Sequence, residues 1–159
     1  MNLRRTTNLD AASNTAWRAF LTVHTRVIDL IEQELAQAEL PPLEWYDVLF
    51  ALKEAPEHKL RLHELAQAVL ISRSNMTRLV DRLEAAGLIY RERCKSDRRG
   101  ASAVLTEAGL AMQQRMWCVY SQGIAKYFAT HLSEEEVGVL TKAFKRVLAA
   151  VDEQASATQ

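Results

Sequence analysis

The sequence has few residues that break helices, and it lacks the short motifs that mark common enzymes. Five glycines and three prolines among 159 residues favour a mostly helical chain. The motifs G-x-S-x-G, G-x-x-x-x-G-K-[ST], H-E-x-x-H and paired C-x-x-C are missing, and the four histidines are scattered singly. We therefore expect no catalysis, no cofactor and no bound metal.

Cysteine and long apolar runs are scarce as well. Cys94 and Cys118 are too few for a disulfide framework, so we expect a reducing cytoplasm, with Cys118 as a small core residue. No stretch approaches the ~20 apolar residues that span a membrane, and no signal-peptide pattern follows Met1. The sequence thus predicts a cytoplasmic protein without a membrane partner.

An excess of charge is also missing, because 20 basic and 20 acidic residues cancel. Their distribution is uneven, however. Residues 73–99 hold 8 Lys/Arg and 4 Asp/Glu, whereas residues 1–72 and 100–159 are each net negative. Because the local field decides where phosphate groups bind, the segment 73–99 is the predicted nucleic-acid surface.

The same part of the chain shows a recognisable order of elements. Apolar spacing predicts a short helix ending near Val69, a brief turn, and a second helix over about Ser74–Ala86. Gly87 ends the second helix, because glycine adopts the left-handed conformation without steric cost. Two strands are expected over 88–93 and 101–105, around a charged loop. Helix, turn, helix and hairpin is the order of a winged helix-turn-helix.

The polar face of the second helix and the hairpin loop are the predicted DNA contacts. Short polar side chains can approach base edges in the major groove, and arginines can bind guanine or phosphate. Arginines on a thin loop can enter the narrow minor groove, where the potential is most negative. The helix contributes Arg73, Ser74, Asn75, Thr77, Arg78 and Arg82, and the loop contributes Lys95, Arg98 and Arg99.

Two runs of the sequence match a known family. They are L-A-Q-A-V-L-I-S-R-S-N-M-T-R-L-V-D-R-L-E-A-A-G-L-I-Y-R and S-D-R-R-G-A-S-A-V-L-T-E-A-G, the second containing Asp97-Arg98-Arg99-Gly100, Leu105-Thr106 and Gly109. With them the chain resembles the MarR family of bacterial transcription regulators over nearly its whole length. The resemblance implies that Arg99 reaches the minor groove from the tip of the wing, and that Asp97 braces it and so joins the predicted DNA-binding residues.

Long helices are predicted on both sides of this unit. The first, over about 14–38, is expected to bury a broad apolar stripe that runs from Trp17 to Leu35. A second helix is predicted after Pro42, and a short strand is predicted over 60–62. Beyond the wing, Thr106 is the predicted cap of one helix, and Ser133 with Glu136 is the predicted capping box of the last.

The last helix places apolar residues at alternating steps of three and four, which is the spacing of a coiled-coil seam. They are Val137, Leu140, Phe144, Val147 and Val151. Two interpretations stay open: the seam packs on the chain's own first helix, or it forms a homodimer, which we favour. A two-fold dimer would place two recognition helices ~34 Å apart and match an inverted-repeat site in double-stranded DNA.

The predicted fold is therefore mainly α with a small β wing, in a single domain over residues 1–159. A winged helix-turn-helix over about 43–105 is flanked by dimerisation helices over about 14–38 and 107–155.

The family resemblance also implies a small-molecule effector, commonly an aromatic or phenolic acid, bound between the dimer helices and the DNA-binding unit. The candidate ligand residues are Trp17, His24, Trp45 and Arg91, of which the arginine would pair with a carboxylate. Residues of the first three types in such positions more often belong to a buried core, and Arg91 also suits a phosphate contact. The sequence predicts a homodimeric repressor released by a small ligand. The alternative is a winged-helix module that binds another protein.

Overall fold

The computed structural model describes residues 8–69, 73–93 and 100–157. The helices in these ranges are α1 (Ala11–Gln37), α2 (Leu43–Glu54), α3 (Leu62–Ala68), α4 (Arg73–Ala85), α5 (Glu107–Tyr127) and α6 (Glu134–Ala157), with 3-10 turns at Pro56–His58 and Ala129–His131. The strands are β1 (Lys59–Arg61), β2 (Ile89–Arg93) and β3 (Ala101–Leu105). The predicted class, mainly α with a small β wing, is confirmed. In the described ranges no helix has the length and apolar character needed to cross a membrane.

The sheet is antiparallel, with β3 in the centre between β1 and β2. Ala103 pairs with Leu60 on one side and with Arg91 on the other. The strand expected over 60–62 is therefore real but begins one residue earlier. Ser102 and Ala103 are both buried, so the central strand contributes to the core.

The apolar side of α4 is completely packed. Met76, Leu79, Val80 and Leu83 of α4 are all buried, as their spacing predicts. Gly87 has a φ of 73°. Around it, the Leu88 N–H donates to the Leu83 carbonyl at 3.0 Å and the Gly87 N–H donates to the Glu84 carbonyl at 2.9 Å. This pair of hydrogen bonds is the Schellman motif, which ends α4 and directs the chain into β2.

The core lies where α2 meets α5, the sheet and the C-terminal part of α1. Val48, Leu49 and Leu52 of α2 are fully buried there. The N-terminus of α2 is fixed to α1, because the Leu43 N–H donates to Glu32 Oε1 at 2.9 Å.

The predicted buried stripe of α1 is wrong for most of that helix. The helix begins at Ala11, three residues before the predicted start, because the Asp10 carboxylate accepts the Ser13 N–H at 2.9 Å. Its only buried residues are Ile31 and Leu35, and Trp17 is 56% exposed. The N-terminal part of α1 has the predicted periodicity, but the described chain does not cover it.

The capping predictions for the last two helices are confirmed. Thr106 Oγ1 accepts the Gly109 N–H at 3.0 Å at the start of α5. At the start of α6, Ser133 Oγ accepts the Glu136 N–H at 3.2 Å and Glu136 accepts the Ser133 N–H at 2.8 Å. The prediction that Cys118 belongs to the core is wrong, since its side chain on α5 is exposed.

The predicted seam of α6 is largely exposed. None of the residues of α6 is buried, and Val147 and Val151 are 60% and 55% exposed. One contact with the first helix exists, between the rings of Phe20 and Phe144, whose centroids are 5.3 Å apart. Packing on α1 of the same chain therefore covers only a small part of this seam.

Candidate nucleic-acid interface

The side of α4 opposite its buried residues carries the predicted DNA contacts. Asn75, Thr77, Arg78 and Arg82 are all exposed there. Asn75, Arg78 and Arg82 are separated by three and four positions, so they share one face of the helix. A helix that buries its entire apolar side and exposes amide, hydroxyl and guanidinium groups has the chemistry needed to contact base edges and phosphates.

Arg82 is also a structural contact. Its guanidinium donates to Glu44 Oε1 of α2 at 2.8 Å, with both side chains about half exposed. The contact ties the C-terminal half of α4 to the core helix. Its predicted role in DNA binding stays a prediction, and a phosphate would compete with Glu44 for the same guanidinium.

Arg91 connects β2 to α4. Its guanidinium forms ion pairs with Asp81 and Glu84 of α4, and its backbone N–H donates to Glu84 Oε1 at 2.9 Å. The side chain is only 26% exposed. Desolvation acts in the opposite direction, but the hydrogen bonds to the two carboxylates raise the pKa of Arg91. The guanidinium is therefore charged and already bound to two acids.

Three acidic residues that position the site were not predicted from the sequence: Glu44, Asp81 and Glu84. A signal for the last two was present. Asp81 and Glu84 are three residues apart, so they lie on one side of α4, and a basic strand follows directly after the helix.

The remaining predicted DNA contacts divide into two groups. Arg73 and Ser74 are the first two residues of α4. Lys95, Asp97, Arg98 and Arg99 lie outside the described residues, so the tip of the wing stays a prediction from the sequence.

The four predicted ligand residues lie on three separate elements. Trp17 and His24 are on the exposed part of α1, with ring centroids 5.9 Å and 6.3 Å from that of Phe20. Trp45 is on α2, half-buried, and its indole N–H has no hydrogen-bond partner among the described residues. Arg91 is on β2. Their shared role in ligand binding stays a prediction. The described residues also contain no group of three or more His, Cys, Asp or Glu able to hold a metal ion.

Replacing Arg91 by alanine is expected to lower the free energy of unfolding by about 1 kcal/mol, because it leaves Asp81 and Glu84 facing each other without a cation. Urea denaturation followed by circular dichroism measures the change. Arg93→Ala is the matched control, because Arg93 is exposed on the same strand and its loss should cost less than about 0.5 kcal/mol. Equal effects of the two substitutions would contradict a specific role for the Arg91 pairs.

The helices α3 and α4 followed by the β2–β3 hairpin define a winged helix-turn-helix protein, a class that inserts its second helix into the DNA major groove. A sequence model of the MarR family matches residues 38–100. AbsC, a MarR family transcriptional regulator from Streptomyces coelicolor, is 31% identical, with a TM-score of 0.81 over 93% of this chain and 99% of that chain. The chain belongs to the MarR family of transcriptional regulators, which are DNA-binding proteins and not enzymes.

Two further relatives extend the comparison. Sco3205, a MarR family transcriptional regulator from Streptomyces coelicolor whose crystal structure is a complex with DNA, is 29% identical, with a TM-score of 0.81 over 91% of each chain. The HTH-type transcriptional regulator PrsX of Escherichia coli is 31% identical over 111 residues, which are 70% of this chain and 66% of that protein. The similarity to PrsX therefore covers about two thirds of its length.

Proposed function

We propose that the chain is a homodimeric repressor that binds an inverted-repeat site in double-stranded DNA and is released by a small ligand. The main support for DNA binding is that α4 has two different sides. Its apolar side is fully buried, and its other side exposes Asn75, Thr77, Arg78 and Arg82. The local excess of basic residues over 73–99 supports it, because phosphate contacts supply much of the affinity for DNA. The DNA complex of Sco3205, with the same fold, is consistent with it.

The binding site on DNA is best identified by selection. Purified protein should enrich fragments from a random duplex pool, and the enriched sequences should contain two half-sites related by a two-fold axis. Their centres should be separated by about one helical turn, ~34 Å, if two recognition helices bind together. Enriched sequences with a single half-site would contradict the dimeric mode of binding.

Arg78→Ala is expected to weaken binding to the selected duplex by 10- to 100-fold, which corresponds to about 1–3 kcal/mol for a lost base or phosphate contact. Fluorescence anisotropy with labelled duplex measures the affinity. Arg146→Ala is the matched control, since it removes the same charge from an exposed position on α6. If both variants bind as tightly as the wild type, the exposed side of α4 is not the DNA-binding surface.

The alternative is a winged-helix module that binds another protein. The two functions predict a different dependence of the affinity for DNA on salt concentration. Each neutralised phosphate contributes about −0.9 to the slope of log K against log salt, so a DNA-binding surface gives a steep slope. From the sequence, Arg99→Ala should weaken binding and Arg98→Ala should reduce the slope by about one. Binding to DNA that is weak, independent of salt and unchanged by these substitutions would favour the protein partner.

Homodimerisation is supported by exposed apolar side chains on the outer helices. Trp17 and Leu21 of α1 and Val147 and Val151 of α6 are exposed in the single chain. Large exposed apolar surfaces mark sites of association.

We further propose that the protein acts in the cytoplasm, where bacterial DNA is found, and that its DNA-bound dimer represses transcription as the family resemblance implies.

The proposed effector is a small aromatic acid near Trp17, His24, Trp45 and Arg91. The ion pairs of Arg91 sharpen this proposal, because a ligand carboxylate would have to displace Asp81 or Glu84 from the guanidinium. The test is to titrate benzoate and related acids against the protein–DNA complex. Tryptophan fluorescence would report ligand binding, and the anisotropy of labelled duplex would report release of DNA. Release of DNA that is lost in Arg91→Lys supports the proposal, and no response in either signal contradicts it.

A further inference from the structure

An open cleft of about 560 Å³ lies beside α2, and the described residues that line it include none of α4. One wall consists of four residues of α2, from Asp47 to Glu54, whose spacing of i, i+3, i+4 and i+7 puts them on one face of the helix. The opposite side is formed by β1 and by the end of α3. The proposal uses the lining residues Asp47, Phe50, Ala51 and Glu54 of α2, Leu60 of β1 and Val69, which directly follows α3.

The middle of the cleft is apolar and aromatic. Ala51, Leu60 and Val69 supply aliphatic surface, and the Phe50 ring is 42% exposed. That ring is held in place from behind, because it stacks on the buried Tyr46 ring at a centroid distance of 5.8 Å and an interplanar angle of 9°. Tyr46 in turn stacks on Trp117 at 6.1 Å and meets Tyr120 edge-on at 5.0 Å. The cleft therefore presents a fixed aromatic ring beside an apolar wall.

The charge in the cleft has one sign. Of the described residues that line it, Asp47 and Glu54 are the charged ones, and both are acidic. Asp47 forms no ion pair or hydrogen bond with a described side chain. Desolvation by the surrounding protein, followed by the negative charge of Glu32, raises the pKa of the Asp47 carboxyl. An ionised Asp47 is thus a destabilised charge, which a cation in the cleft would relieve.

We propose that this cleft binds a small organic cation, an ammonium group carried on an apolar or aromatic body. The ammonium would lie between the Asp47 and Glu54 carboxylates and the Phe50 ring, where ion pairing and the cation–π interaction act together. The apolar body would cover Ala51, Leu60 and Val69. An anion of the same size would be repelled by both carboxylates and by the negative charge of Glu32, which already acts on Asp47, so the cleft selects by charge.

This inference does not rest on the proposed DNA function. The residues that carry it belong to α2 and β1 or directly follow α3, and none is among the predicted DNA-binding or ligand residues. A binding measurement without DNA therefore tests the cleft independently of DNA binding.

The test compares three probes that share one aromatic body, using calorimetry with the full chain at pH 7 and low salt. Benzyltrimethylammonium carries the positive charge, benzyl alcohol is neutral and benzoate is negative. The ammonium is expected to bind at least tenfold more tightly than the alcohol. Benzoate is tested on Arg91→Lys, because it is also a candidate for the proposed effector site, and there it should bind more weakly than either. Benzoate that binds to Arg91→Lys, in which the proposed effector site is disabled, as tightly as the ammonium does would overturn the proposal, as would an ammonium that does not bind.

Two substitutions locate the site. Asp47→Asn keeps the shape of the side chain and is expected to weaken ammonium binding at least tenfold, while Asp152→Asn on α6 removes the same charge elsewhere and should leave it unchanged. Phe50→Leu keeps an apolar side chain without a ring, so it should reduce the preference for ammonium over benzyl alcohol. Ammonium binding by Asp47→Asn equal to that of the wild type would place the cation somewhere else.

Asp47→Asn is also expected to fold and to be more stable than the wild type at pH 7, which keeps the binding test interpretable. A raised pKa in the folded state means that the ionised carboxylate opposes folding, whereas the neutral form does not. The difference in melting temperature should therefore be small below pH 3.8 and should grow as the pH rises through the folded-state pKa. A variant less stable than the wild type at pH 7 would show instead that the Asp47 carboxylate supports the fold.

Discussion

Replacing Gly109 by alanine is expected to lower the free energy of unfolding by at least about 3 kcal/mol, the upper range for overpacking a core. A Cβ at this position would lie 2.1 Å from the Leu88 carbonyl oxygen and 2.7 Å from Leu105 Cδ1. The nearest atom belongs to the backbone, so no change of side-chain rotamer relieves the overlap. The first turn of α5 would have to move away from the end of α4.

That movement would break the junction between the DNA-binding unit and the outer helices. Thr106 Oγ1 accepts the Gly109 N–H and donates to the Gly87 carbonyl at 2.8 Å, and the Thr106 N–H donates to the Leu88 carbonyl at 3.1 Å. These bonds join the start of α5 to the residues that end α4. We therefore expect Gly109→Ala to change the position of α4 relative to α5, and so to weaken DNA binding as well as stability.

Gly138 provides the matched control. It lies in α6, and an added Cβ there would have no neighbouring atom within 4 Å. Alanine is about 1 kcal/mol more favourable than glycine inside a helix, so Gly138→Ala should leave stability unchanged or raise it by up to that amount. Urea denaturation of the two variants separates local crowding from helix propensity. A Gly109→Ala protein as stable as the Gly138→Ala protein would mean that the junction tolerates displacement.

Local patterns in the sequence predicted the DNA-binding unit well because its elements are determined by neighbouring residues. The spacing of Met76, Leu79 and Leu83, the left-handed Gly87 and the Thr106 cap each act within one or two turns of chain. These features were predicted within one or two residues of their observed positions. The wing strands followed from the same kind of local signal.

The long helices were predicted less well, because periodicity identifies an apolar face without identifying what covers it. Trp17 and Leu35 have equivalent positions in the pattern of α1, yet Leu35 is buried under α5 and Trp17 is exposed. Local patterns also gave only part of the ion pairs at the site. Arg91 and Glu84 are close in sequence, but their pairing depends on how β2 returns along α4. Arg82 pairs with Glu44, which is 38 positions away.

Val147→Asp is expected to dissociate the proposed homodimer. Val147 lies in the seam of α6 and is 60% exposed in the single chain. A two-fold axis would bring the substitution into the interface twice, and each unpaired buried carboxylate costs several kcal/mol. We expect the dissociation constant of the dimer to rise at least about 1,000-fold, which corresponds to about 4 kcal/mol. Sedimentation equilibrium at micromolar protein should then find monomer.

Ala149→Asp is the matched control, which tests whether the effect is specific to the seam of α6. It adds the same charge two positions away, on the opposite side of the helix from Val137, Phe144 and Val151, at an exposed residue. It should therefore remain dimeric with unchanged helical content. If Val147→Asp is also dimeric, the α6 seam is not the interface, and the inverted-repeat mode of DNA binding needs another two-fold contact. The expected result is that Val147→Asp is monomeric and binds the selected duplex at least 100-fold more weakly. In that case α6 holds the two copies of α4 together on DNA without contacting the DNA itself.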